Sequence, residues 1–378
     1  MDKRKLYQKD AYQKECGAEL LSVRENASEL SLFFSQTVFC PEGGGQSGDR
    51  GEAVFQGADG QTFRLPVADS YEEDGVVWHK VKKGGEPLPE SLREILKPGA
   101  KARLSIDFAH RFDNMQRHCG EHILSGVLYR LYGAVNKGFH MSDDGIAIDM
   151  DFSSSEEITG VKRERITWEM AKTAEWEANK IIWKNEPVHV EYYDTREEAE
   201  TRPLRKKLSF DRDISIVTIG DFDHPDDCVA CCGTHPARTG EVGLIRIFGI
   251  EPNKGMSRIF LEAGSRALRI TQKEGDILYD LETELSAGTA DVLEKFLVLQ
   301  RKTEETKEQL RILLRQLETR EAERILAQAE PNAVFHYGEE IPDADFLFRI
   351  AKRLSGKLPG ILFLCHDPSN TVVAVSNG

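Results

Sequence analysis

The chain has 378 residues, 40% of them apolar and 30% charged, which is longer than one ordinary core accommodates and predicts roughly two or three domains. No run of about 18 apolar residues offers a membrane span. The formal net charge of −14 argues against a uniformly basic nucleic-acid binder, because phosphate contacts need Lys and Arg, but it leaves room for a local basic face. The first ten residues, MDKRKLYQKD, lack the apolar centre of a signal peptide, so a cytoplasmic location is expected.

Residues 1–90 read as a small β-barrel-like domain. The segment ELSLFFSQTVFC (29–40) is strand-prone and runs into the Gly-rich PEGGGQSGDRG. EAVFQ, TFRLPVADS and GVVWHKV follow as further strands separated by Gly and Asp. Residues 91–270 read as an α+β domain. AKARLSID is a strand, and a helix is predicted from about Asp107 to Tyr132, with Met115, His118, His122, Leu124, Leu128 and Leu131 near one face. A strand at 145–152, a helix over 167–183 and strands at 188–194 and 214–220 complete it. The patch RPLRKKL (202–208) reads as a solvated loop.

Residues 271–330 read as a helical arm. Phe296, Leu299, Leu310, Leu313 and Leu317 recur at three- and four-residue spacing among Glu, Lys and Arg, a heptad-like seam that predicts a coiled coil or a homodimer element over 290–328. Thr289 is the expected N-cap. Residues 331–378 read as the start of an α/β domain, incomplete in itself, with strands AVFHY, GILFLCHD and NTVVAVSNG and the helix DADFLFRIAKRL. The fold class expected is therefore α+β: barrel-like domain, metal-containing α+β domain, helical arm and partial α/β domain.

Seven cysteines are spread unevenly, three of them within 228–232, a clustering that fits metal binding better than a disulfide framework. His118 and His122 are four apart on the predicted helix and so share a face. Cys231 and His235 are also four apart, in CCGTH. Two imidazoles, a thiolate and a third imidazole form a four-ligand set suited to one tetrahedral Zn2+ per chain. Cys228 and Cys232 are spare candidates. The bland form of this reading is a structural zinc that ties a helix to a loop; a redox or zinc-storage role for the cysteines is a weaker one.

MQRHCGEHILSG together with CCGTHPARTGEVGLIRI resembles the editing domain of alanyl-tRNA synthetase and its free-standing AlaX relatives. QTVFCPEGGGQSGDRG (36–51), GFHMSDDGIAIDM (138–150), IVTIGDFD (216–223) and KGMSRIFLEAG (254–264) match in order, so the resemblance covers about residues 30–265. It implies the long AlaX type: an editing domain, a helical arm and the beginning of a DHH-associated C-terminal domain. It also implies a trans-editing deacylase that hydrolyses the ester of alanine tRNA mischarged with serine, or with glycine. The alternative is a non-catalytic tRNA-binding module with a structural zinc. The family's ligand pairs map onto His118, His122, Cys231 and His235. Thr37 matches the Thr of the Gly-rich segment and is expected to bind a serine hydroxyl, the kind of contact that rejects an analogue lacking it. Gln46 is expected to point its amide at the carbonyl, and His140 to join the catalytic groups. Gly43, Gly44 and Gly45 allow the backbone to approach the terminal adenosine, or else form a tight turn with positive φ. Asn136, Lys137, Lys254 and Arg258 are the remaining substrate-binding candidates. Two departures stand out. Cys232 replaces the first Gly of the usual CGGTH, and Asn136 stands where a Gln often precedes KGS.

Overall fold

The computed structural model describes residues 5–57, 60–83, 89–209 and 211–376. The chain divides into two compact units, which meet in the sequence at Gly275 and Asp276.

The first unit opens with six antiparallel strands: β1 (Glu15–Glu25), β2 (Glu29–Phe34), β3 (Gly51–Gln56), β4 (Thr62–Glu73), β5 (Val76–Lys82) and, after a short helix α1 (Glu90–Ile95), β6 (Lys101–Ile106). They close into a barrel in the order β1-β2-β5-β4-β3-β6. Alternation drives this closure: in β6, Ala102, Leu104 and Ile106 point inward while Lys101 and Arg103 face solvent. Leu20, Leu30, Leu32, Phe34 and Phe55 fill the interior with almost no exposed surface. Two expectations change here. β1 was not singled out in the sequence, and β6 closes the barrel, so the barrel extends past the boundary expected at 90. The strand expected over 29–40 stops at Phe34; Thr37 forms only an isolated bridge to Lys5.

Helix α2 (Phe108–Tyr132) follows, started by Asp107, whose carboxylate accepts the amide N–H of His110 at 3.1 Å. From Asn114 to Leu128 nearly every residue of α2 is buried, so it runs through the unit rather than lying on it with one apolar face. Around it come β7 (Val135–Ser142), β8 (Gly145–Asp151), α3 (Ser155–Thr159), α4 (Trp168–Lys184), β9 (Val188–Thr195), α5 (Arg196–Ala199), β10 (Arg212–Gly220), β11 (Pro225–Ala230), β12 (Ile245–Asn253) and β13 (Met256–Ala263), and the chain leaves through α6 (Gly264–Leu285), within which the two units meet. Two antiparallel sheets, β12-β13-β8-β7 and β11-β10-β9, share this region. Thr167 caps α4 through the amide of Met170.

Two buried ion pairs hold α2 in place. Arg111 grips Asp49, in the segment that leads into β3, through Nε at 2.9 and 3.0 Å, and Arg111 also donates to the carbonyls of Val38 and Ala11. Arg117 pairs with Glu262 of β13 at 2.7 and 2.9 Å. Both members of each pair are almost fully inaccessible.

The second unit contains helix α7 (Val292–Gln328), strand β14 (Val334–Tyr337), helix α8 (Ala344–Leu354) and strands β15 (Leu362–His366) and β16 (Thr371–Val375). β14 pairs parallel to β15, and β16 pairs antiparallel to β15. Residues 377 and 378, expected in the last strand, lie outside the described residues. The end of α7 packs on α8, where Glu318 accepts from Arg349 at 2.7 Å and from Arg353 at 2.8 Å. The expected cap at Thr289 is not found. The helix begins at Val292, and the Thr289 hydroxyl donates to Glu282 instead. Phe296, Leu299, Leu310, Leu313 and Leu317 remain 42–61% exposed. Among the described residues no helix is long and apolar enough to cross a membrane.

Candidate metal centre and cavity

His118 and His122 project from one side of α2, and the loop after β11 carries Cys231 and His235 to them. The ligand atoms of all four lie within 4.8 Å of one another. The His118 ring centroid lies 5.0 Å from His122 and 4.8 Å from His235. Cys231 Sγ is 3.4 Å from His118 Nε2, close to the spacing of roughly 3.5 Å that two ligands of a tetrahedral zinc adopt.

The donor chemistry fits a metal. Nε2 of His122 and both ring nitrogens of His235 are buried without a hydrogen-bond partner, a cost of about 1–3 kcal/mol for each such group unless something binds it. Burial alone would raise the Cys231 thiol, but the imidazoles of His118, His122 and His235 outweigh it and hold Cys231 well below the usual thiol range. Burial pushes His235 down to about 4, so it is neutral with a free lone pair. His122 moves the other way. Burial opposes its charge, yet Cys231 and Asp227 raise it to about 10. The centre therefore asks for one more positive charge, which a divalent cation supplies without protonating a ligand.

Outer partners orient the rings. His118 Nδ1 donates to Gln46 Oε1 at 2.9 Å, and His122 Nδ1 donates to Asp227 Oδ2 at 3.2 Å, leaving Nε2 of each for the metal. Gln46 Oε1 also accepts the amide of Thr234 at 3.3 Å, and Gln46 Nε2 donates to the Thr234 hydroxyl at 3.1 Å. Burial would raise the Asp227 carboxyl, but Arg205 and His122 together outweigh it and hold the carboxylate below the usual range. Arg205 Nε reaches Asp227 Oδ1 at 2.5 Å. Replacing Gln46 with alanine is expected to weaken metal binding by about 10- to 100-fold; competition with a chelator measures it.

Glycine serves the same assembly. Gly44 and Gly45 have φ of +60° and +85°, and a Cβ on Gly45 would lie 2.5 Å from the Phe139 ring. A Cβ on Gly233 would lie 2.4 Å from His118 Cε1 and Nδ1. The tight-turn reading of the Gly-rich segment therefore has a second purpose, close approach to β7 and the metal loop.

A cavity of about 530 Å3 opens beside the metal centre, with His118, His122 and Cys231 in its wall. Glu121, Asn136 and Lys137 line it from α2 and β7, and Lys206 from the basic patch. Asn136 Nδ2 donates to Glu121 Oε1 at 2.6 Å and to Ser125 Oγ at 3.1 Å. Burial and the neighbouring Arg205 lower the Lys206 ammonium from its ordinary pKa.

Several expectations are corrected. The patch 202–208 is not a solvated loop, because the buried Asp227 carboxylate draws Arg205 inward and Lys206 lines the cavity. Thr37 is buried in the barrel, where its hydroxyl meets His79 Nε2 at 2.7 Å and accepts the amide of Phe39 at 3.0 Å; it is absent from the cavity wall. Gln46 is buried, with Oε1 on His118 and the Thr234 amide and Nε2 on the Thr234 hydroxyl, and it is absent from the cavity wall where a substrate carbonyl would lie. His140 is exposed on β7, where strand alternation turns it away from Phe139, the residue that stacks on His118 at 5.2 Å. Of the three glycines only Gly44 lines the cavity. Lys254 sits in the β12–β13 turn with φ of +49°, and Arg258 is held by Asp149 at 2.8 Å; neither lines the cavity. Cys228 belongs to a small core with Ile214 and Ile216, and Cys232 lines the cavity outside the ligand set. Glu121, Asp227, Arg205 and Thr234 were missed. The Asp beside Cys228 was an available signal, because histidine ligands need acceptors for their second nitrogen, and the Glu of HCGEH, which accepts from Asn136 and Ser125, was another.

Residues 214–260 match the family described as the threonyl and alanyl tRNA synthetase second additional domain. The alanyl-tRNA editing protein AlaX-L of Pyrococcus horikoshii is 37% identical over 278 residues, 73% of this chain and 61% of that protein. The alanine–tRNA ligase of Pyrococcus furiosus is 32% identical over 281 residues, 73% of this chain and 28% of the ligase. The alanyl-tRNA editing protein Aarsd1-B of Xenopus laevis is 26% identical over 349 residues, 92% of this chain and 76% of that protein. The chain thus spans 61% of the length of AlaX-L and under a third of the ligase.

Proposed function

We propose that the chain, which is 37% identical to an alanyl-tRNA editing protein over 73% of its own length, is a trans-acting aminoacyl-tRNA deacylase. Its substrate would be alanine tRNA charged with serine or glycine, met in the cytoplasm. The observation that carries this reading is the four-ligand centre set in the wall of a cavity with a lysine-bearing rim. Zinc, when bound by His118, His122, Cys231 and His235, supplies positive charge that polarises or orients an ester.

The chain's own residues supply the rest. Glu121 and Asn136 are hydrogen-bonded to each other at the cavity wall, so the carboxylate is oriented to receive the α-ammonium of the amino acid. Asn136, whose Nδ2 is taken by Glu121 and Ser125, would accept a serine hydroxyl at Oδ1, a role that Thr37, buried on His79, is not placed to fill. Lys137 and Lys206 line the same cavity and would neutralise phosphates at the 3′ end of the tRNA. Gly44 brings backbone to that wall. Lys254 and Arg258 belong, in this reading, to a more distant phosphate path. The exposed leucine seam of α7 would pair with a second copy as a coiled coil, and the unit containing β14 to β16 would belong to a DHH-associated domain.

Glu121→Gln is expected to lower kcat/KM for deacylation by about 10- to 100-fold, the value of a hydrogen bond to a charged group, with zinc content unchanged. The function itself is tested by release of amino acid from Ser-tRNA(Ala), Gly-tRNA(Ala) and Ala-tRNA(Ala). Release of serine with alanine spared supports the deacylase; a zinc-loaded chain that binds tRNA and releases nothing is a binding module with a structural metal.

A further inference from the structure

Three of the chain's four tryptophans stand on one helix. Trp168, Trp176 and Trp183 of α4 are 38, 59 and 57% exposed. The buried side of the same helix is built from small and branched residues, Ala171, Ala174, Ala178, Ile181 and Ile182, so the indoles contribute nothing to that core. Trp176 and Trp183 meet edge to face with centroids 5.3 Å apart, which holds two of the rings in a fixed arrangement. Exposed indoles are costly and uncommon on a surface without a partner.

Lysines alternate with them. At 100° per residue, Trp168, Lys172, Trp176, Lys180 and Trp183 lie along one stripe about 22 Å long. Lys180 pairs with Glu177 at 3.0 Å, and the Lys172 side chain makes no hydrogen bond or ion pair among the described residues. Glu169, near the N-terminal end, and Glu177, the partner of Lys180, are the acids beside the stripe. Aromatic faces that stack bases, spaced by cations that meet phosphates, are what an unpaired nucleic-acid strand requires. A two-fold contact of this face with itself would bring lysines together away from water, which disfavours a second copy as the occupant.

We propose that this face of α4 is a docking surface for unpaired nucleotides of the tRNA, separate from the cavity that receives its aminoacyl end. The proposal rests on the tRNA substrate assigned above. The test uses the full zinc-loaded chain and fluorescently labelled, uncharged tRNA(Ala), so that binding is read independently of hydrolysis. W176A/W183A is expected to weaken binding about tenfold or more, with W176F/W183F retaining most of the affinity. Lys172→Ala is expected to reduce the slope of log K against log salt by about one. Single-turnover deacylation at saturating tRNA should be unchanged in all three variants. Equal affinity of wild type and W176A/W183A overturns the proposal, as does a wild-type chain that binds no tRNA. So does sedimentation in which these substitutions abolish self-association while tRNA affinity stays the same. Tryptophan-dependent binding without any deacylation overturns the enzyme reading and leaves the docking surface standing.

Discussion

Replacing His118 with alanine is expected to empty the metal centre and abolish release of amino acid from tRNA. His118 is the hub of the set: it faces Cys231 at 3.4 Å, stacks on Phe139 and takes its orientation from Gln46. Its removal leaves a thiolate and two imidazoles that are short of partners in a buried space. Metal content should fall from about one zinc per chain to less than a tenth of that, and thermal unfolding of the zinc-treated protein should move to lower temperature, because metal-binding free energy is folding free energy. Metal analysis, a melting curve and a deacylation assay on the same sample check it. Unchanged zinc content would mean that the metal sits elsewhere.

The second large effect concerns stability alone. Arg111→Met leaves the Asp49 carboxylate buried without its partner and removes donors from the carbonyls of Val38 and Ala11. Breaking one side of a buried pair costs about 3–5 kcal/mol, a fall of roughly 10 °C in the melting temperature of a unit of this size. Combining it with Asp49→Asn should recover part of the loss, since a neutral amide still accepts the Cys40 N–H. A melting temperature within a degree of wild type for Arg111→Met would show that water replaces the pair at no cost.

The sequence was most legible where chemistry repeats locally. Residues four apart on a helix must share a face, so His118 and His122 announce a pair, and the CCGTH loop announces the rest. Helix α4 was readable for the same reason, with Thr167 at its start. What could not be read depends on pairing across long distances. β6 alternates like any strand, and nothing within it says that its partners are β1 and β3. Thr37 and Gln46 lie in a segment whose partners are residues 79, 118 and 234, so their roles were assigned to a substrate when other side chains already satisfied them. The basic patch misled through composition. Arg205 looks like a surface residue until the buried charge of Asp227, 22 residues later, is placed beside it.

The long reach of Gln46 carries a consequence for synthesis. Its partner Thr234 lies 188 residues downstream, on the order of ten to forty seconds of translation at typical rates. The barrel has all six strands by Ile106 and can close on the ribosome while Gln46 still lacks both of its partners. Capture of a metal by all four residues would therefore be a late event, a marker that the nascent chain has grown past His235; any shorter fragment offers at most three of the four ligands.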